Sequence, residues 1–233
     1  MSNKYRNRLY NRLINIIHRP RAKVNHQLRA RRANGQGIHS PYLFRFVTTV
    51  LNSKWPYYAF ESLEVNPKTK RKRFRTTFKK KDSHQIQRMI FRIVQDLQPA
   101  SILEIGNRNG IETRYMLSAC PKAICKSITY LSDAKEHSTL NEILLSMDKL
   151  DFVLFNAPAE RKQRMEEFND CLQKIHEESL IVIKLIHQTP EQAYLWKQMK
   201  NHPKVQASMD LYSLGILFFR SDLPKCRLRI KTQ

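Results

Sequence analysis

From residue 83 onward the sequence alternates amphipathic stretches with short apolar runs, and that alternation leaves few architectures open. Ile86, Met89, Ile90, Ile93, Val94 and Leu97 share one helical face. After them come a strand at 102–105, a helix at 113–119, a strand at 128–131 and a short helix at 140–147. A strand at 152–155, a helix at 165–175, a strand at 180–183 and a helix at 191–199 continue the series. Strands that alternate with helices pack as a parallel sheet covered on both faces. The last two strands, at 205–211 and 216–219, are separated only by Tyr212 to Gly215. A parallel pair needs a crossover of about a dozen residues, so this pair must run antiparallel. The pattern predicts an α/β fold with a doubly wound, mostly parallel sheet that ends in an antiparallel C-terminal strand pair.

The first 82 residues have another texture. Tyr5, Leu9, Leu13, Ile16 and Ile17 recur at three- and four-residue steps, with Lys4, Arg8, Arg12 and Arg19 on other faces. That predicts an amphipathic basic helix ending before Pro20. A basic linker over 19–36 closes in the loop Asn34-Gly35-Gln36-Gly37, and Pro41 opens a short helix through Leu51 with Phe44, Phe46, Val47 and Val50 as candidate core. Residues 68–81 form a charge block without apolar periodicity, read as an exposed loop. The division is therefore a basic helical N-terminal extension and loop over 1–82 and an α/β domain over 83–233.

Charge follows the same boundary. Of the formal net charge of +22, residues 1–82 hold +18, with 21 Lys and Arg against Glu61, Glu64 and Asp82. Such a density of cations attracts nucleic acid or anionic lipid, and Phe74 and Phe78 stand among the cations where they would stack on bases. Hydrophobic residues make up 41% and charged residues 27%, a balance that excludes a disordered or collagenous chain. The apolar run Ile14 to Ile17, interrupted by Asn15, is too short for a secretory segment, and no transmembrane segment is expected. Cys120, Cys125, Cys171 and Cys226 form no C-x-x-C pair and read as buried thiols in a reducing compartment. A cytoplasmic location is expected; a mitochondrial presequence would share the basic, acid-poor composition of the N-terminus.

Chemistry concentrates at Ile102-Leu103-Glu104-Ile105-Gly106-Asn107-Arg108-Asn109-Gly110, a strand running into a glycine-bounded loop and a helix. In doubly wound sheets ligands bind outside the carboxyl ends of the strands, where glycine lets the backbone approach them. The bare pattern lacks the middle glycine of a dinucleotide fingerprint, and a tight strand-to-helix turn would also produce it.

This segment resembles motif I of class I S-adenosylmethionine-dependent methyltransferases. Nearly the whole chain is similar to a bacterial, Bacteroidetes-type group of O-methyltransferase-like proteins. The matching stretches are residues 37–44 (GIHSPYLF), 57–61 (YYAFE), the motif I loop, Asp151-Phe152-Val153, Ile186-His187 and 210–220 (DLYSLGILFFR), in the same order. The resemblance implies a Rossmann-like fold, S-adenosylmethionine as cofactor, and methyl transfer to an acceptor it does not identify. It further implies cofactor contacts from Glu104, Gly106, Asn107 and Gly110. Asn156 stands at the end of the fourth strand, near the transferred methyl, and Asp133 reaches the ribose if its loop bends back. His187 is the candidate catalytic base.

Three departures qualify it. Leu131 stands where relatives place the ribose-binding acid. Asn156 replaces an Asp that is a metal ligand in cation-dependent members, and Lys184 and Leu185 replace acids, so no metal site is expected. Arg108 and Lys184 read as solvated cations. Only nineteen residues separate Leu131 from Asp151, so the third strand is expected to be missing and the wall over the adenine thinned. The competing reading is a catalytically degenerate descendant that holds nucleic acid or an anionic membrane through residues 1–82.

Overall fold

The structure, a computed structural model, describes residues 3–32, 35–65, 80–107, 109–129, 136–156 and 159–231. Among these, the strands are β1 (Arg31–Arg32), β2 (Ser101–Ile105), β3 (Ile124–Ile128), β4 (Leu150–Phe155), β5 (Ile175–Lys184), β6 (Ala207–Asp210), β7 (Leu214–Phe218) and β8 (Cys226–Lys231). They form one sheet in the order β1-β8-β6-β7-β5-β4-β2-β3. The strands β3, β2, β4 and β5 are parallel, and β7 runs antiparallel to both β5 and β6. This is the doubly wound sheet with an antiparallel C-terminal pair that the alternation dictates.

Period-two alternation splits the central strands between two cores. Ile102, Phe152, Leu154, Val182, Ile216 and Phe218 face one side, in one core with helices α3 (Tyr58–Val65), α4 (Lys80–Leu97) and α5 (Ile111–Ala119) and the buried Phe46 and Val47. Leu103, Ile105, Val153, Phe155, Ile183 and Leu217 face the other, under α6 (Glu136–Leu145), α7 (Arg161–Cys171) and α8 (Pro190–Lys200). Asp151 aligns the starts of three strands. Its Oδ2 accepts from the amides of Ala100 and Ser101 at 2.7 and 2.9 Å, and Oδ1 lies 2.8 Å from His176 Nε2. Burial pushes this carboxyl up, but the bonds from His176, Ser101 and Ala100 outweigh it and hold it below its ordinary range.

Several boundaries differ from expectation. Helix α1 (Asn3–Arg29) runs through Pro20 rather than ending there. An interior proline costs about 3 kcal/mol, and contacts with the body hold the helix on both sides of it. Arg19 Nε donates to Gln188 O (3.2 Å), Tyr212 Oη donates to Arg19 O (3.0 Å), and His26 is buried against Asp210. Instead of a linker, residues 19–32 are the rest of α1 followed by β1. Phe44 is 44% exposed, whereas Phe46, Val47 and Val50 are buried in the turn of π-helix that follows α2 (Pro41–Arg45). The second strand of the domain ends at Ile128, not Leu131, and Ile175 opens β5 rather than closing α7. No strand lies between Ile128 and Leu150 among the described residues, so β3 is the sheet edge, with Ile124 65% exposed.

Candidate functional site

The carboxyl ends of β2 and β4 converge on the glycine loop. Gly106, at φ +84°, turns the chain so that its own amide and that of Asn107 both donate to Ile128 O, at 2.9 and 2.8 Å. The amide of Asn156 donates to Ile105 O at 2.8 Å, which fixes the end of β4 beside the loop. Asn107 closes the loop internally: its Oδ1 accepts from Gly110 N (2.8 Å) and its Nδ2 donates to Thr113 Oγ1 (3.0 Å). Gly110, at φ +67°, precedes α5, and a Cβ there would meet nothing within 4 Å. Left-handed backbone facing open space is where glycine lets a ligand approach the chain.

Beneath the loop lies a charged network. Glu104, fully buried, accepts a short bond from the Thr113 hydroxyl at Oε2 and one from Asn156 Nδ2 at Oε1 (2.6 Å). The same amide nitrogen lies 3.1 Å from Glu112 Oε2. Lys184 Nζ donates to Asn156 Oδ1 and to Glu112 Oε1, both at 2.6 Å, and its side chain is only 13% exposed. Lys184 is therefore not the solvated strand-end cation that the sequence led us to expect. Glu112, in the first turn of α5, supplies its counter-charge. Nothing local to either residue announces the pair; only the strand order β2-β4-β5 brings α5 over the end of β5.

The two carboxyls differ in character. Burial raises Glu112, but the charge and hydrogen bond of Lys184, with the Asn156 amide, more than reverse that and leave it below its ordinary value. Burial also raises Glu104, and the bonds from Thr113 and Asn156 offset it only in part, so the group stays above its ordinary value. Among the described residues Glu104 is hydrogen-bonded by neutral groups alone. A carboxylate has about four acceptor positions, and a cation entering beside Glu104 would find some of them open and a charge met only at a distance by Lys184.

His187 belongs to a second cluster. Its Nε2 is 2.8 Å from Asp210 Oδ2, which also accepts from Trp196 Nε1 (3.3 Å), while Oδ1 accepts from the amide of Tyr212 (3.0 Å) and lies 3.2 Å from His26 Nε2. The His187 and Tyr212 rings stack at 5.7 Å. Burial pushes Asp210 up, but the bonds from His187, His26 and Tyr212 N hold it far below the usual carboxylate range. A carboxylate on Nε2 favours the tautomer with hydrogen there and leaves Nδ1 as the acceptor. Among the described residues, no hydrogen bond or ion pair joins His187 to Glu104, Glu112, Asn156 or Lys184.

The structure thus brings Glu104, Gly106, Asn107, Gly110 and Asn156 together and sets His187 with Asp210. Arg108, Leu131, Asp133 and residues 68–79 of the charge block lie outside the described residues. Among the described residues, no group of three or more His, Cys, Asp or Glu could hold a metal ion. Nor is any helix among them long and apolar enough to cross a membrane.

No family model matches the chain, and no curated protein matches it. Solved structures with similar architecture include the methyltransferase PaMTH1 of Podospora anserina bound to SAH, with TM-score 0.49, 10% identity, and coverage of 73% of this chain and 91% of that one. The O-methyltransferase TomG of Streptomyces achromogenes in complex with SAM gives 0.48 and 11%, covering 77% and 95%. A methyltransferase of Geobacter sulfurreducens gives 0.42 and 13%, covering 59% and 79%. At these identities the likeness concerns architecture alone.

Proposed function

We propose that the chain is an S-adenosylmethionine-dependent methyltransferase of the O-methyltransferase-like kind, acting on a small acceptor. The observation that carries this reading is Glu104, a buried carboxyl that among the described residues is hydrogen-bonded only by neutral groups, beneath a loop whose Gly110 opens onto free space. The residues present fit a cationic ligand bearing an adenosyl group. Glu104 would take its positive end, while Gly106 and Gly110 leave room for it and Asn107 keeps the loop closed on itself. Asp133 is the residue this reading assigns to the ribose hydroxyls.

When bound, the cofactor supplies a methyl group on a sulfonium, already a good leaving group, so the protein's part is chiefly to hold donor and acceptor in line. Lys184 presents an ammonium at the end of β5, held by Glu112 and by Asn156 at the end of β4, and its third N–H is suited to orienting an acceptor with a partial negative charge. In this reading His187 serves the fold by holding α1 against β6 through Asp210.

The test is calorimetry of the full chain with S-adenosylmethionine and its demethylated product. Micromolar affinity is expected, abolished by Gly106→Arg and weakened roughly tenfold or more by Glu104→Gln, since a hydrogen bond to a charged group contributes about 1.5–3 kcal/mol. Absence of heat at millimolar ligand overturns the proposal.

A further inference from the structure

At the other end of the sheet a small cavity of about 280 Å³ lies among β6, β8, α8 and the end of α1. We propose that it is a binding site for a phosphate group carried by a small molecule, separate from the glycine loop.

The walls are built by strand register. Ser208 pairs with Arg227 and Asp210 with Arg229 on adjacent parallel strands, so all four stand on one face at alternate positions. Lys200 closes α8 and Arg29 closes α1, and both line the same space. Four cations therefore surround the cavity against one carboxylate. That carboxylate, Asp210, is already engaged by His187, His26, Trp196 and the Tyr212 amide. Among the described residues, Arg29, Lys200 and Arg229 form no ion pair with any acid.

Arg227 is held rigid. Its Nη1 donates to Gln206 O and Cys226 O, at 2.8 and 2.9 Å, and its Nη2 donates to Val205 O at 3.2 Å. Three of its five N–H groups are thus spent on backbone carbonyls, so Arg227 contributes a fixed positive charge, and the forks open to a ligand are those of Arg29 and Arg229. Burial lowers Lys200; Asp210 opposes this in part, and Arg229, Arg227 and Lys197 push it further down. The cations are crowded in a partly dehydrated hollow, and an anion relieves that crowding.

Size and charge select the ligand. Pockets for drug-sized molecules run from about 300 Å³ upward, so this hollow takes a single anionic group rather than a whole nucleotide. A phosphate monoester carries about −1.5 to −2 near neutrality and three acceptor oxygens, and guanidinium forks match its geometry. A carboxylate would leave most of the wall charge unanswered. The phosphate could belong to a soluble ester or to a lipid headgroup, and the experiment separates them.

Inorganic phosphate is titrated into the full chain at constant ionic strength and followed by calorimetry. The double variant Lys200→Gln/Arg229→Gln is compared with Lys122→Gln/Lys162→Gln, which removes equal charge elsewhere. We expect saturable binding that the first variant weakens by about tenfold or more, as loss of charge-assisted bonds predicts, and that the second leaves unchanged. Lack of saturable binding, or equal weakening in both variants, overturns the site and attributes any affinity to net charge. Once that selective loss is found, vesicles containing phosphatidic acid identify the source. Retention lost in the same variant assigns a lipid headgroup, and retention kept assigns a soluble phosphate ester. The cavity shares no lining residue with the glycine loop, so failure here leaves cofactor binding untouched.

Discussion

Replacing Lys184 by Met removes the ammonium that Glu112 and Asn156 share and keeps most of the side-chain volume. The ammonium makes two 2.6 Å bonds in a setting where its own side chain is 13% exposed and that of Glu112 is 7% exposed. Breaking such a buried pair from one side costs about 3–5 kcal/mol, because the other charge is stranded. The Asn156 amide still reaches Glu112 Oε2 at 3.1 Å, which favours the low end, near 3 kcal/mol. For a chain of this length that lowers the melting temperature by about 6–12 °C. The sign with pH follows from Glu112. In the wild type its folded pKa lies below 4.5, so it contributes stability above that pH and the contribution is lost as pH falls through the lowered value. Without Lys184, burial is left dominant and places the folded value above 4.5, so the variant's deficit is smallest in acid and opens as pH rises toward 7. Urea unfolding of Lys184→Met and Lys184→Met/Glu112→Gln at pH 4.5 and 7 measures this. The double variant is expected within about 1 kcal/mol of wild type at pH 7, since a neutral pair strands no charge. An equal deficit at both pH values, or a double variant no better than the single, refutes the reasoning.

Two further outcomes follow from the Asp210 region. Gly215→Ala places a Cβ 2.6 Å from the Trp196 ring, which is itself fixed by its bond to Asp210, so a thermal melt should show about 1–3 kcal/mol of destabilisation; a melt like wild type would mean that the indole moves aside freely. Asp210→Asn removes the charge that holds His187 and His26, and His26→Ala removes one of the bonds of α1, so trypsin should cut at Arg21 and Lys23 faster in both. An unchanged cleavage rate in both variants would show that α1 is held by other contacts.

The domain's architecture was legible because its central strands are apolar on both faces. Leu150–Phe155 is buried along its whole length, and no other element type explains such short apolar runs between amphipathic ones. Edges were not legible for the converse reason. In β3, Ile124 is exposed and Lys126 and Ser127 are polar, so the apolar run beginning at Ile128 drew the expected strand forward. In β8, arginines alternate with Leu228 and Ile230, and only a neighbouring strand gives the segment a buried side. At the site, the glycine loop could be read because its backbone demands are local. The Lys184–Glu112 pair could not, because its members lie 72 residues apart and meet only through strand order. The 210–220 stretch carries structural demands of its own: Asp210 gathers two histidines and an indole, and Gly215 leaves room for that indole.

The strand β1 has a consequence for how the molecule is made. Among the described residues, Arg31 and Arg32 pair with Ile230 and Lys231, which come 199 positions later. This segment therefore finds its sheet partner only after about 200 further residues have been made. At about 5–20 residues per second, that delay is on the order of ten to forty seconds. During it, these two arginines lack their sheet partner and are open to any chaperone or ribosomal surface within reach.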